Sequence, residues 1–242
     1  MRLAVVSDIH GNLAALEAVV ADFGRRSVDR VVNLGDSLSG PLRALETARF
    51  LMAEDWVHLA GNHERQVLAG APWNHSDEFT HAQLTEAELK WMASLEPWQR
   101  LDGDVLACHG TPRSDREYFI ETVERGRPRL ATPSELEQRC GDTDGAPAEW
   151  HRTPKGQLIV NPGSVGLPAY DATRPEPHVM ETGSPDARYA IVEGEGRTWS
   201  ASLLAVPYDY AEMSKLARAR GRHDWAHALA TGYALSTSVE RV

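Results

Sequence analysis

Five short apolar runs in this chain each end on a residue able to bind a cation. Leu3-Ala4-Val5-Val6 leads into Ser7-Asp8-Ile9-His10-Gly11-Asn12, and Val31-Val32-Asn33-Leu34 into Gly35-Asp36. Trp56-Val57-His58-Leu59 leads into Ala60-Gly61-Asn62-His63-Glu64, Val105-Leu106-Ala107-Cys108 into His109-Gly110, and Leu158-Ile159-Val160 into Asn161-Pro162-Gly163-Ser164. Brief apolar runs bounded by turn residues are the pattern of strands buried on both faces. An open α/β sheet gathers its ligands outside the carboxyl ends of such strands. The pattern therefore predicts an α/β fold carrying a metal site.

The intervals between the runs read as helices. Leu13, Leu16, Val19, Val20 and Phe23 recur at helical spacing over 12–24, with Gly24 at the end. A second helix is expected over 41–53 with Pro41 in its first turn, and a third from about Glu64. A fourth, over 85–95, opens on the capping-box pattern Thr85-Glu86-Ala87-Glu88. Alternation of this kind predicts a largely parallel sheet. Beyond Leu158 the character changes. Arg188–Glu193 and Thr198–Leu204 read as a hairpin about 194–197, which suggests a second, more antiparallel sheet. Residues 167–188 read as a long loop. Two short helices, near 209–220 and 224–231, are expected to pack on a single domain spanning 1–242.

Composition narrows the function classes. With 25 basic and 35 acidic residues, the 242-residue chain carries a net charge of −10, which argues against binding nucleic acid polymers or anionic membranes. Asp8 and His10 interrupt the first apolar run too early for a secretory leader, and no stretch reaches the roughly 20 apolar residues of a membrane span. A cytoplasmic protein is expected. Cys108 and Cys140 lie outside any CxxC pattern, and Cys108 is expected to be a small buried residue closing a strand.

The chemistry rests on few side chains. In an extended chain, residues i and i+2 point to one side, so Asp8 and His10 are expected to face one ion. Asp36 arrives from the next strand, and its two oxygens could bridge two ions. Asn62 offers a neutral oxygen and His109 an imidazole nitrogen. Mixed nitrogen and oxygen donors suit Mn, Fe, Zn or Ni. Two such ions about 3.5–4 Å apart would clamp a phosphoryl group and acidify a bound water. His63 is read as a proton donor to the leaving oxygen, or as a transition-state stabiliser, rather than as a ligand.

Asp8-x-His10, Gly35-Asp36, Gly61-Asn62-His63-Glu64 and His109-Gly110, taken in order, resemble the calcineurin-like metallophosphoesterase superfamily. Asn161-Pro162-Gly163-Ser164-Val165-Gly166 resembles its compact bacterial phosphodiesterase branch. The resemblance implies a four-layer α/β/β/α sandwich, two mixed sheets flanked by helices. It implies two divalent transition metals and in-line attack by metal-bound hydroxide on a small phosphate ester. Asp8 and His10 would hold the first ion, Asp36 would bridge, and Asn62 and His109 would hold the second. Catalysis would fall to His63 and Asp36.

One departure from the family pattern stands out. The Gly-His-Thr-His segment, which supplies a ligand to each metal, is missing. Cys140-Gly141-Asp142-Thr143-Asp144 occupies a comparable place. Either Asp142 and Asp144 serve as oxygen ligands, or a strand with both histidines is absent near residue 146; the spacing of His151 does not suit it as a substitute. The alternatives to a phosphodiesterase are a binding scaffold on the same fold and a dinucleoside-polyphosphate or protein-phosphate hydrolase. Among the other residues, His58 reads as a packed core histidine, and His75, His81, His223 and His227 as surface groups. Arg113 reads as an exposed cation with phosphate reach, and Tyr170 and His178 as substrate contacts. The scattered tryptophans are assigned to core packing.

Overall fold

A computed structural model describes residues 1–101, 105–140, 158–195 and 198–235. The chain opens with β1 (Arg2–Val6), α1 (Leu13–Phe23), β2 (Arg30–Asn33), α2 (Ala44–Met52) and β3 (Val57–His58). Helices α3 (Asn62–Ala69), α4 (His75–His81) and α5 (Glu86–Ala93) follow, then β4 (Trp98–Arg100), β5 (Leu106–Cys108), β6 (Glu121–Glu124) and β7 (Arg127–Leu130). After α6 (Pro133–Cys140) come β8 (Ala169–Ala172), β9 (His178–Glu181), β10 (Ala187–Glu195) and β11 (Thr198–Val206). The described chain closes with α7 (Tyr210–Ala219) and α8 (His223–Thr231).

The central sheet has the order β11-β10-β1-β2-β3. Strands β1, β2 and β3 are parallel, with Leu3 opposite Arg30 and Val32 opposite Val57, while β10 runs antiparallel to β1. Both faces of β1 are covered, which is why its sequence is continuously apolar. Ala4 and Val6 pack against Leu16, Val19, Phe23 and Leu51 of α1 and α2. Leu3 and Val5 pack on the other face with Leu101, Val105 and Ala107 beside the β4–β5 pair. Helices and a second β layer thus flank the central sheet.

The helices follow their sequence signals. Asn12 caps α1 by accepting from the Ala15 N–H at 3.2 Å. Thr85 caps α5, and Glu88 returns to the Thr85 N–H at 2.9 Å, the reciprocal pairing expected of a capping box. Pro41 lies outside α2, contrary to expectation. The Arg43 N–H donates to the Gly11 carbonyl at 2.9 Å, so the stretch before Ala44 is committed to the first motif loop rather than to a helical turn.

Three expectations about the sheets need correction. The β10–β11 hairpin extends the first sheet instead of building a second. Its Ala190 and Val192 face one layer and Tyr189 and Ile191 the other, so it fits a position beside β1 where both faces are buried. The stretch 158–160 holds one bridge residue, Ile159, rather than a strand. Ile159 is buried against Leu136 and Cys140 of the α6 region, and burial alone explains the apolar run. The expected loop 167–188 contains the β8–β9 hairpin, with Tyr170 opposite Met180 and Ala172 opposite His178. Helices α7 and α8 pack on Leu42, Leu167 and Ala169. Among the described residues, no helix is long and apolar enough to cross a membrane.

Candidate metal centre

The loops after β1 and β2 lie side by side because their backbones continue to pair beyond the strands. The Asp8 N–H donates to Gly35 O at 3.0 Å, His10 N–H to Asp36 O at 3.0 Å, and Gly11 N–H to Ser37 O at 2.9 Å. Asp8, His10 and Asp36 all have positive φ, at 54°, 53° and 53°. The expectation that Asp8 and His10 share a side because the chain is extended is therefore replaced by a different geometry. Left-handed backbone at non-glycine residues is uncommon and clusters at functional sites. Here it turns the side chains of both loops onto one point. Ligand atoms of Asp8, His10 and Asp36 all lie within 4.8 Å of one another.

Two further motif loops are locked onto this pair. Glu64, 1% exposed, accepts from the N–H groups of Asp36 (2.8 Å), Ser37 (2.7 Å) and Gly61 (2.7 Å). It thereby fixes the start of α3 against the loop after β2. A side chain at Gly61 would put Cβ 2.2 Å from Asp36 Oδ1, so only glycine allows the approach. The Asn161–Gly166 segment closes on the first loop: Gly166 N–H donates to Asp8 O at 2.9 Å, and Ser164 Oγ to the same oxygen at 3.0 Å. A Cβ on Gly166 would sit 1.8 Å from Ile9 O.

The histidines are oriented by their outer nitrogens. His10 Nδ1 lies 2.7 Å from Ser39 O, and His109 Nδ1 lies 3.2 Å from Leu34 O. A carbonyl only accepts, so each Nδ1 carries a proton and each Nε2 can point a lone pair inward when the ring is neutral. His10 Nε2 is 3.6 Å from Asp8 Oδ1, and His109 Nε2 is 3.4 Å from Asp36 Oδ2. His63 Nδ1 sits 2.7 Å from Asp77 Oδ1, and its Nε2 lies 4.0 Å from Asp36 Oδ2. Asn62 lines the same cleft. In the amide orientation that satisfies its neighbours, its nitrogen donates to Asp115 O (3.0 Å) and its oxygen accepts from Gln66 Nε2 (2.7 Å).

Carboxylate and imidazole charges act strongly on one another at this point. Burial alone would raise the Asp36 pKa, but His109, His63 and His10 together hold it well below the usual carboxylate range. Burial opposes protonation of His63, yet Asp36 and Asp77 outweigh it and push the ring up to about 9. The same contest, decided by Asp36, pushes His109 up to about 10. Protons on the histidines take the place that a divalent cation is suited to fill. Carboxylate oxygens with inward-facing imidazole nitrogens fit a transition ion rather than a purely oxygen-seeking one.

The centre opens into a cleft of about 940 Å³. Arg116 and Arg174 line it, whereas Arg113 is exposed and lies outside the lining. Tyr170 lines the cleft and His178 is buried beside it, 4% exposed. Cys108 ends β5 half-buried in the wall rather than buried in the core. His58 stacks on Trp56 at 5.9 Å and is pushed down by burial, as a core histidine should be. His75 and His223 are exposed, and His81 and His227 half-buried. Asp142, Asp144 and His151 lie outside the described residues. Sequence reading missed Asp77, Ser39 and Trp225, whose ring meets His10 edge-on at 5.7 Å. No local motif marks them: Ser39 follows Asp36 by three residues in the loop after β2, while Asp77 and Trp225 arrive from α4 and α8.

Comparisons with known proteins speak to family and fold. Residues 1–175 match the calcineurin-like phosphoesterase family. The crystal structure of a metallophosphoesterase from Sphaerobacter thermophilus superposes with a TM-score of 0.69 at 26% identity, covering 96% of this chain and 99% of that one. The uncharacterized protein MJ0912 of Methanocaldococcus jannaschii is 28% identical over 100 residues. That match covers 38% of this chain and only 41% of the relative. The phosphoesterase Yfce from E. coli aligns with a TM-score of 0.39 at 17% identity, over 86% of this chain and 100% of its own.

Proposed function

The chain belongs to the calcineurin-like phosphoesterase family, and from that premise we propose that it is a metal-dependent phosphodiesterase acting on a small phosphate ester. The observation that carries the reading is the convergence of Asp8, His10 and Asp36 within 4.8 Å, with the His10 and His109 rings held so that Nε2 faces inward. Asp8 and His10 would hold one ion, His109 and Asn62 a second, and Asp36 would bridge them. For Asn62 this requires its amide oxygen to exchange its present partners for the ion. Divalent ions bound there would acidify a water and neutralise charge on the phosphoryl oxygens.

The chain's own groups do the rest. Asp77 orients His63 through Nδ1 and leaves Nε2 facing the centre. As water gives up one proton to solvent and its oxygen bonds to phosphorus, the ester P–O bond breaks and a protonated His63 would hand its Nε2 proton to the departing oxygen. The cleft of about 940 Å³ is large enough to admit a diester.

Metal analysis of the purified protein, paired with hydrolysis of bis(p-nitrophenyl) phosphate with and without Mn, tests this. Bound transition metal and Mn-dependent turnover, abolished by Asp36→Asn, is the expected result. The missing Gly-His-Thr-His segment favours a second reading, a binding scaffold. No bound metal and no turnover at any Mn concentration would put that reading first.

A further inference from the structure

Three side chains beside the cleft form a directed hydrogen-bond chain that the proposed hydrolysis does not use. Tyr118 precedes β6, Tyr170 lies on β8 and His178 on β9. In the register of the hairpin, Tyr170 and His178 are diagonal neighbours on one face, a separation that long side chains can span. Tyr118 closes the gap: its hydroxyl lies 3.0 Å from Tyr170 Oη and 3.0 Å from His178 Nε2. Its ring meets the imidazole edge-on, 5.5 Å between centres at 88°.

The direction of the chain follows from its far end. His178 Nδ1 lies 2.7 Å from Glu176 O, which can only accept, so Nδ1 carries the proton. With one proton on the ring, Nε2 is bare and accepts from the Tyr118 hydroxyl. The Tyr118 oxygen must then accept from Tyr170. Burial pushes both phenols up, and the nearby Asp8 carboxylate adds to this, so both hydroxyls keep their protons. Both protons are thus consumed inside the protein. Tyr118 and Tyr170 both line the cleft and have only lone pairs left to offer it.

We propose that Tyr118 and Tyr170 form a specificity element that accepts a hydrogen bond from a hydroxyl or amino group on the alcohol portion of the ester. The inference rests on the phosphoester reading for its substrate class, but its chemistry is separate from hydrolysis. The pair lines the same cleft as the metal centre, and the segment leading into β8 is bonded to Asp8 through Gly166. A donor within a few bonds of phosphorus would meet it. A ligand without a donor would leave phenolic lone pairs desolvated and unpaired, and sites of this kind discriminate strongly against such ligands.

The test uses ligands whose C–P bond resists hydrolysis. Binding of 2,3-dihydroxypropylphosphonate, 3-aminopropylphosphonate and propylphosphonate is measured by calorimetry on the Mn-loaded full chain, on Tyr170→Phe and on Tyr118→Phe. The expected result is binding of one donor-bearing ligand about tenfold tighter than propylphosphonate, with the preference reduced to near unity in both variants. Whichever ligand is preferred identifies the donor as a hydroxyl or an amine. Equal affinity for all three in the unmodified protein overturns the proposal. So does a preference that survives in Tyr170→Phe, or a loss that falls equally on all ligands, as packing damage would produce. Thermal melts of the variants check their folding. Preference without diesterase turnover would overturn the hydrolase reading and leave this one standing.

Discussion

At the scale of single residues, the site depends on groups that touch no substrate. Glu64 satisfies three backbone N–H groups from two loops. Glu64→Gln would turn an amide N–H₂ toward at least one of those donors whichever way it lies. The expected cost is ~1–3 kcal/mol, a fall of roughly 2–4 °C per kcal/mol for a chain of this size, measurable by calorimetry. Asp77 acts through His63, which it contacts at 2.7 Å. His63→Ala should retain metal and lose about 10²-fold or more in turnover. Asp77→Asn should lose a smaller factor, at least about tenfold, with metal content unchanged. Equal turnover in His63→Ala would remove its assigned role. The sequence offered His63 directly, through its place after Asn62. It could not offer Asp77, because the 14-residue separation becomes a contact only when α3 and α4 pack.

At the scale of elements, the C-terminal helices matter more than their position after the main motifs suggests. Helix α8 buries Trp225, Ala226, Ala228 and Leu229, and Trp225 rests against His10. Helix α5 lies away from the centre and is held by its Thr85 cap. Leu229→Ala should cost ~2–5 kcal/mol and weaken metal retention, since the wall behind His10 loosens. Thr85→Ala should cost only ~0.5–2 kcal/mol and leave metal content unchanged. Denaturant unfolding with metal analysis on both variants checks the contrast. Equal loss of metal in both would show that retention follows global stability alone. Both helices were expected from the sequence, α5 through its capping box. The β8–β9 hairpin was not, because polar residues and prolines hide its alternation, and only its packing beside the cleft shows it as structure.

At the scale of the whole molecule, protonation and metal uptake are one equilibrium. In the metal-free protein, His63 and His109 are pushed up to about 9 and about 10. Both folded pKa values exceed the unfolded value of about 6.5. The stability they contribute is therefore complete below about pH 6.5 and is lost as pH rises through 9 and 10. Chelator-treated protein should show a Tm that declines over that window. Metal-loaded protein should decline less, because the cation supplies the charge. Adding Mn to the metal-free protein near pH 7 should release protons, seen as a buffer-dependent heat. Identical heats in buffers of different ionisation enthalpy would contradict the charge state assigned to His109.

The sequence by itself determined the order of the motifs and of β1, β2, β3 and β5 before them, the caps of α1 and α5, and the identity of the candidate ligands. These depend on local periodicity and on residue chemistry, which a chain carries without being folded. Only the tertiary structure decided how Asp8 and His10 come to face one point. Local spacing suggested extended backbone, but pairing between the loops after β1 and β2 holds both residues, with Asp36, in left-handed conformations. It also decided that β10 joins β1, because a strand apolar on both faces fits wherever two layers meet. Asp77, Trp225 and the Tyr118–Tyr170–His178 chain become neighbours of the site only once distant elements pack, a relation that no spacing along the chain encodes.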